Sequence, residues 1–155
     1  MRVHVLMRSQ HLPADPAAAF ALFGAARNLE AITPPWLRFR VVTPEPIAMA
    51  PDTLIAYRLR LHGVPVRWLT RIAVWDPPHR FVDVQVRGPY ASWHHTHEFE
   101  PDGSGTLMRD TVRYALPFGP LGELAHRFVE RDLRRIFDYR ASQVPGLLAA
   151  SSAAA

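Results

Sequence analysis

The sequence predicts a single α+β domain: an antiparallel sheet of about seven strands, two short helices after the first strand, and a long C-terminal helix across the sheet. Two observations carry this. From residue 54 to residue 115 apolar and polar residues alternate, in segments separated by Gly-, Pro- or Asp-rich turns, which is the pattern of a meandering sheet with one wet face. After Pro117-Phe118-Gly119-Pro120 the period changes to that of a helix, with Leu121, Leu124, Ala125, Phe128, Val129, Ile136 and Phe137 on one side and Leu133 beside them. A sheet with one apolar face needs such a helix to cover it.

Residues 3–12 read as the first strand, though neither alternate set in them is clearly apolar. Asp15-Pro16 places an N-cap and a first-turn proline. Phe20 and Phe23 then give an apolar edge, and Gly24 can end the helix. Asn28 can cap a second helix, Leu29 to Ile32, stopped by Pro34-Pro35. Leu37, Phe39 and Val41 alternate with Arg38 and Arg40 as a strand. So do Ile55, Tyr57, Leu59 and Leu61 with Arg58 and Arg60, then Val66, Trp68, Thr70, Ile72 and Val74 with Arg67 and Arg71. Gly63 and Asp76-Pro77-Pro78-His79 supply turns. Residues 80–87 form the next strand. In the stretch GPYASWHHTHEFE, Ala91, Trp93, His95, His97 and Phe99 share one face. Asp102-Gly103-Ser104-Gly105 closes a hairpin onto a strand over residues 106–116. The long helix is expected to end near Ser142, before Pro145. The domain then spans residues 1–145 and residues 146–155 form a frayed tail.

Composition narrows the function classes. The chain has 155 residues, 48% of them hydrophobic and 21% charged, as in a globular domain. No apolar run reaches membrane-spanning length and no signal-peptide pattern is evident, so a cytoplasmic protein is expected. With no Cys there is no disulfide, thiolate metal site or cysteine nucleophile. All 18 Lys-plus-Arg positions are Arg, which removes Schiff-base chemistry and a P-loop lysine. These arginines are spread along the chain, and no nucleic-acid partner is expected.

The segments NLEAITPPWLRFRVV (28–42), WDPPHRFVDVQVRGPYASWHHTHEF (75–99), GTLMRDTVRYALPFGPLG (105–122) and IFDYR (136–140) resemble the bacterial ligand-binding branch of the START-like (SRPBCC) superfamily. That superfamily includes Bet v 1-type proteins and polyketide cyclases. The resemblance covers nearly the whole chain. It implies the helix-grip fold and a cavity between a curved sheet and the C-terminal helix. It also implies a hydrophobic small-molecule ligand, although some relatives catalyse cyclisation or hydrolysis.

Registers set by the turns locate a site. Leu61 opposite Val66 puts Leu59 by Trp68, Tyr57 by Thr70 and Ile55 by Ile72. Val74 opposite Phe81 puts Ile72 by Asp83 and Thr70 by Gln85. Across the next two turns Gln85 meets Trp93, Asp83 meets His95, Phe81 meets His97, His97 meets Asp110, His95 meets Val112 and Trp93 meets Tyr114. Directly opposed side chains are close enough to interact. The inner face then carries two His–Asp pairs, Asp83–His95 and Asp110–His97, in an apolar wall. In each pair the His pKa is expected to rise and the Asp pKa to fall. Ligand contacts are expected from Tyr57, Trp68, Thr70, Asp83, Gln85, Trp93, His95, His97, Asp110, Val112, Tyr114 and Phe128.

Four roles remain open for the His–Asp pairs: structural support, contact with a polar ligand group, general acid–base catalysis by His95, His97, Asp83 and Asp110, or a metal site. No metal and no cofactor is expected, because the helix-containing fold is unlike that of His-x-His metal proteins of the cupin type. On the outer face the same registers bring together Leu69, Ala73, Val82, Val84 and Val86, an apolar patch suited to a homodimer. That patch, or the exposed arginines, makes a protein-interaction module a third reading.

Overall fold

The computed structural model describes residues 1–154. In chain order it contains β1 (His4–Leu12), α1 (Pro16–Gly24), α2 (Asn28–Ile32), a short 3-10 turn (Pro35–Leu37), β2 (Arg40–Val41), β3 (Leu54–Leu61), β4 (Val64–Asp76), β5 (Arg80–Arg87), β6 (Ser92–Asp102), β7 (Gly105–Ala115), α3 (Pro120–Leu124) and α4 (His126–Ala153). The sheet is antiparallel throughout, in the order β1-β7-β6-β5-β4-β3-β2. This is the helix-grip arrangement. Among the described residues no helix is long and apolar enough to cross a membrane.

Local chemistry explains the early elements. Asp15 accepts a hydrogen bond from Ala18 N at 2.8 Å, satisfying a helix-start donor. Asn28 does not cap α2; its side chain donates instead to Leu22 O at 2.9 Å and ties α2 back to α1. The strand expected from Leu37 shrinks to Arg40–Val41, because Leu37 turns inward within the 3-10 turn and is buried.

Two registers differ from the sequence pattern. The β3–β4 hairpin turns on His62 and Gly63, so Leu61 pairs with Val64, Leu59 with Val66, Tyr57 with Trp68 and Ile55 with Thr70. The shift is two residues, which leaves every side chain on its expected face. In β4–β5, Phe81 pairs with Trp75 rather than Val74; an irregularity between Ile72 and Val74 then restores Ile72–Asp83 and Thr70–Gln85. The β6–β7 register is as expected, including His97–Asp110 and His95–Val112.

The C-terminal helix departs most. Leu121 and Leu124 belong to a separate short α3 and are exposed. Helix α4 runs through Pro145 to Ala153, so residues 146–153 are not a frayed tail. Proline removes a backbone donor and disfavours a helix interior by about 3 kcal/mol. Two features offset this. Val144 and Leu148 are both buried in the core beside Phe20 and Phe99, each contributing on the order of 1.5–3 kcal/mol. The Ala141 carbonyl, whose ordinary partner would be the missing Pro145 N–H, accepts a hydrogen bond from Gln10 Nε2 at 2.8 Å.

The apolar patch on the outer face of β4 and β5 is less exposed than the pattern implies. Val82 is already buried within the chain, Leu69, Ala73 and Val84 are half-buried, and of the five only Val86 is exposed.

Candidate functional site

A cavity of about 150 Å³ lies between the sheet and α4. Apolar side chains form most of its wall, among them Phe23, Leu29, Ile55, Ile72, Phe81, Leu133 and Phe137. The floor is polar. β5 supplies Asp83, β6 supplies His95 and His97, and β7 supplies Asp110 behind them. His95, His97 and Asp110 are buried and Asp83 is half-buried.

The Cα pairing is Asp83 with His95 and Asp110 with His97. The hydrogen bonds run along the diagonals instead. His95 Nε2 lies 2.7 Å from Asp110 Oδ1, and His97 Nε2 lies 2.8 Å from Asp83 Oδ2. The reason is steric. The imidazoles lie 3.7 Å apart between centroids and are tilted by 34°, and each ring leans past its opposite residue to the next strand position. The edges are closed more weakly, by His97 Nδ1 at 3.2 Å from Asp110 Oδ1 and His95 Nδ1 at 3.7 Å from Asp83 Oδ2. The His97 Nδ1 approach is an ion contact without a directed hydrogen bond.

The protonation preferences of the two rings diverge. Burial works against a charged His97, but hydrogen bonds and charge from Asp110 and Asp83 outweigh it and push its pKa up. His95 goes the other way, against expectation. Burial pushes its pKa down, the charge of His97 adds to the effect, and the two carboxylates only partly oppose it. Burial would raise the pKa of Asp83 and Asp110, yet the imidazoles hold both below the usual carboxylate range. Tyr57 is pushed above the ordinary phenol value by burial and by Asp83.

Of the expected contact residues, Tyr57, Trp68, Thr70, Asp83, Trp93, His95 and His97 line the cavity. Five do not. Asp110 lies behind His95. Val112 and Tyr114 are enclosed in a packed cluster with Leu6 and Leu116. Gln85 is used by its own turn, donating from Nε2 to Tyr90 O at 2.8 Å and accepting from Tyr90 N at 3.3 Å. Phe128 is 55% exposed and sits in an outer groove against His62.

Sequence reasoning missed Arg140. It reaches the cavity from α4, its guanidinium 5.0 Å above the Phe137 ring, and its Nε is enclosed with no hydrogen-bond partner. Burial pushes its pKa down, while Asp110, Asp83 and Tyr57 favour the cation. The signal was available, since Leu133, Phe137, Arg140, Val144 and Leu148 follow one helical stripe. An arginine inside an apolar stripe is a charge drawn toward the core, a position charged residues seldom take without a partner.

Sequence comparison matches residues 4–143 to the family described as polyketide cyclase / dehydrase and lipid transport. The chain belongs to this family. Its placement in the SRPBCC superfamily follows. No curated protein matches the chain in sequence. Solved structures share the fold of this family member at low identity. The protein TTHA0849 from Thermus thermophilus is 23% identical with a TM-score of 0.73, covering 96% of this chain and 99% of that one. The ZhuI aromatase/cyclase from Streptomyces sp. R1128 is 12% identical with a TM-score of 0.75, covering 95% and 94%. Ara h 8.0201 is 17% identical with a TM-score of 0.66, covering 96% and 99%. At such identities the likeness carries the fold alone.

The ligating atoms of Asp83, His95 and His97 all lie within 4.8 Å of one another, so the trio has donors of the kind a metal takes. In the structure His97 Nε2 is hydrogen-bonded to Asp83 Oδ2 and His95 Nε2 to Asp110 Oδ1. Outside the cavity, Arg38, Arg40, Arg58, Arg60 and Arg67 line a cleft across β2, β3 and β4; any interaction surface there is cationic rather than apolar.

Proposed function

We propose that this protein binds a hydrophobic small molecule in the cavity between the sheet and α4, in the cytoplasm. The observation that carries the reading is a mostly apolar enclosure with a few polar groups converging on one wall, the usual composition of a small-molecule site. In this reading the Asp83, His95, His97 and Asp110 box orients the ligand's polar group, while Trp68, Trp93 and the aliphatic wall take its body.

The test is native mass spectrometry on protein from its own cells, followed by identification of any released molecule. A discrete compound at about one per chain supports the proposal. Ala26→Phe should then abolish its retention, because Ala26 lines the cavity and a phenyl ring would fill it, with an overpacking cost of about 1–3 kcal/mol. Retention undiminished in a folded Ala26→Phe variant would place the ligand elsewhere.

One observation favours a second reading, a cyclase- or hydrolase-type enzyme. His95 and His97 have protonation preferences pushed in opposite directions, which is how adjacent groups divide acid and base roles. His95→Gln would then lose turnover while keeping affinity. A variant that loses affinity and turnover together favours the binding role.

A further inference from the structure

Three buried polar atoms among the described residues have no hydrogen-bond partner: Trp68 Nε1, His97 Nδ1 and Arg140 Nε. All three residues line the same cavity. Trp68 Nε1 and Arg140 Nε are donors only, and His97 Nδ1 is a donor whenever the ring is charged. The carboxylate oxygens that form hydrogen bonds here serve the histidines, Asp110 Oδ1 with His95 and Asp83 Oδ2 with His97. Among the described residues no carboxylate oxygen is within ion-pair distance of Arg140; the ion contacts of the floor join only the histidines and the two aspartates. Arg140 is half-buried, and Asp110, Asp83 and Tyr57 favour its charge only from beyond contact distance, so its desolvation is offset without a direct partner. The Arg140 Cζ lies 5.0 Å over the Phe137 ring.

Resting on the binding reading, we propose that the ligand is an amphipathic organic acid, its carboxylate accepting from Arg140 and its apolar body held by the cavity wall. Trp68 Nε1 and Arg140 Nε are donors left without an acceptor, so a ligand whose polar end only donates satisfies neither. A neutral acceptor satisfies a donor but leaves the guanidinium charge unpaired. A carboxylate does both, and planar guanidinium–carboxylate pairing is the strongest geometry available to it.

The experiment is calorimetric titration at about pH 7.5 with two matched series, straight-chain carboxylic acids from octanoic to hexadecanoic and the corresponding primary alcohols. The acid of the best-fitting length should bind at least about tenfold more tightly than its alcohol, the size of one charge-assisted hydrogen bond. Arg140→Gln should erase that difference, and Arg140→Lys should restore part of it. If Arg140→Gln does not fold by circular dichroism, the wild-type comparison of acid with alcohol decides alone. Equal binding of acid and alcohol overturns the proposal and keeps the cavity as a binding site. Binding of neither series overturns both.

Discussion

His95 and His97 occupy the same face of one strand with their rings in contact, yet the fold favours a proton on one and not on the other. Linkage turns this into a stability profile. His97 has a raised folded pKa, so its contribution is complete below the unfolded value, about 6.5, and is lost as pH rises through the folded value. His95 has a lowered folded pKa, so its contribution is present above about 6.5 and is lost as pH falls through its folded value. Asp83 and Asp110, both held low, give up their contribution only below the ordinary carboxylate range, about pH 4. Stability should therefore peak near pH 6.5 and fall on either side, measured by urea midpoints at about pH 5, 6.5 and 8. His97→Gln should flatten the alkaline limb, and His95→Gln the limb just below the peak. A wild-type profile flat across that range would contradict the assignment. The opposed residues of this box were legible, because side-chain parity and turn positions fix strand register. The diagonal bonding was not, since it depends on how two tilted rings sit against each other, and neither was the sign of the His95 shift. Desolvation and a neighbouring cation act through depth, which periodicity does not report.

At the scale of elements, α4 shows why local signals set the wrong end. Pro145 read as a stop because the chain carries no mark of what waits to satisfy Ala141 O. The answer comes from Gln10, on β1 at the opposite end of the sequence. Arg8 of the same strand pairs with Asp138 of α4, so β1 holds the middle of the helix at successive turns. Gln10→Ala should cost about 1 kcal/mol by leaving that carbonyl short of a partner. In a Pro145→Ala background the restored backbone N–H can take the same carbonyl, and Gln10→Ala should then cost at least about 0.5 kcal/mol less. Denaturant unfolding of the four variants measures the coupling; strictly additive effects would mean the glutamine does not substitute for the lost helix bond. The sheet was legible strand by strand because its period is two. Even the two-residue error at His62-Gly63 preserved the cavity face. Arg140 escaped because the wet arginines of α4 mask the one that lies on the buried stripe.

The whole molecule leaves one end of this grip open. Phe128, Val129 and Asp132 of α4 face Trp36, Leu61 and His62 across a groove of about 450 Å³. Leu37, Leu61, Tyr90, Leu133 and Ile136 belong to both this groove and the inner cavity, so under the binding reading the expected entry route runs between the β3–β4 turn and the start of α4. His62 and Asp132 pair across that passage. His62 is more exposed than the buried floor histidines, and the pair joins two elements distant in sequence, as a latch would. Because the natural chain has no Cys, His62→Cys with Asp132→Cys gives a unique pair for a short bis-maleimide bridge. The bridged protein should take up and release a bound fatty acid at least about tenfold more slowly in stopped-flow fluorescence. Its equilibrium affinity should change far less, because the bridge raises the barrier between free and bound states without touching the cavity floor. The unbridged double variant should exchange faster than wild type, having lost the latch. Unchanged rates in the bridged protein would move the route to another face and leave the His62–Asp132 pair as surface electrostatics, worth at most about 1 kcal/mol.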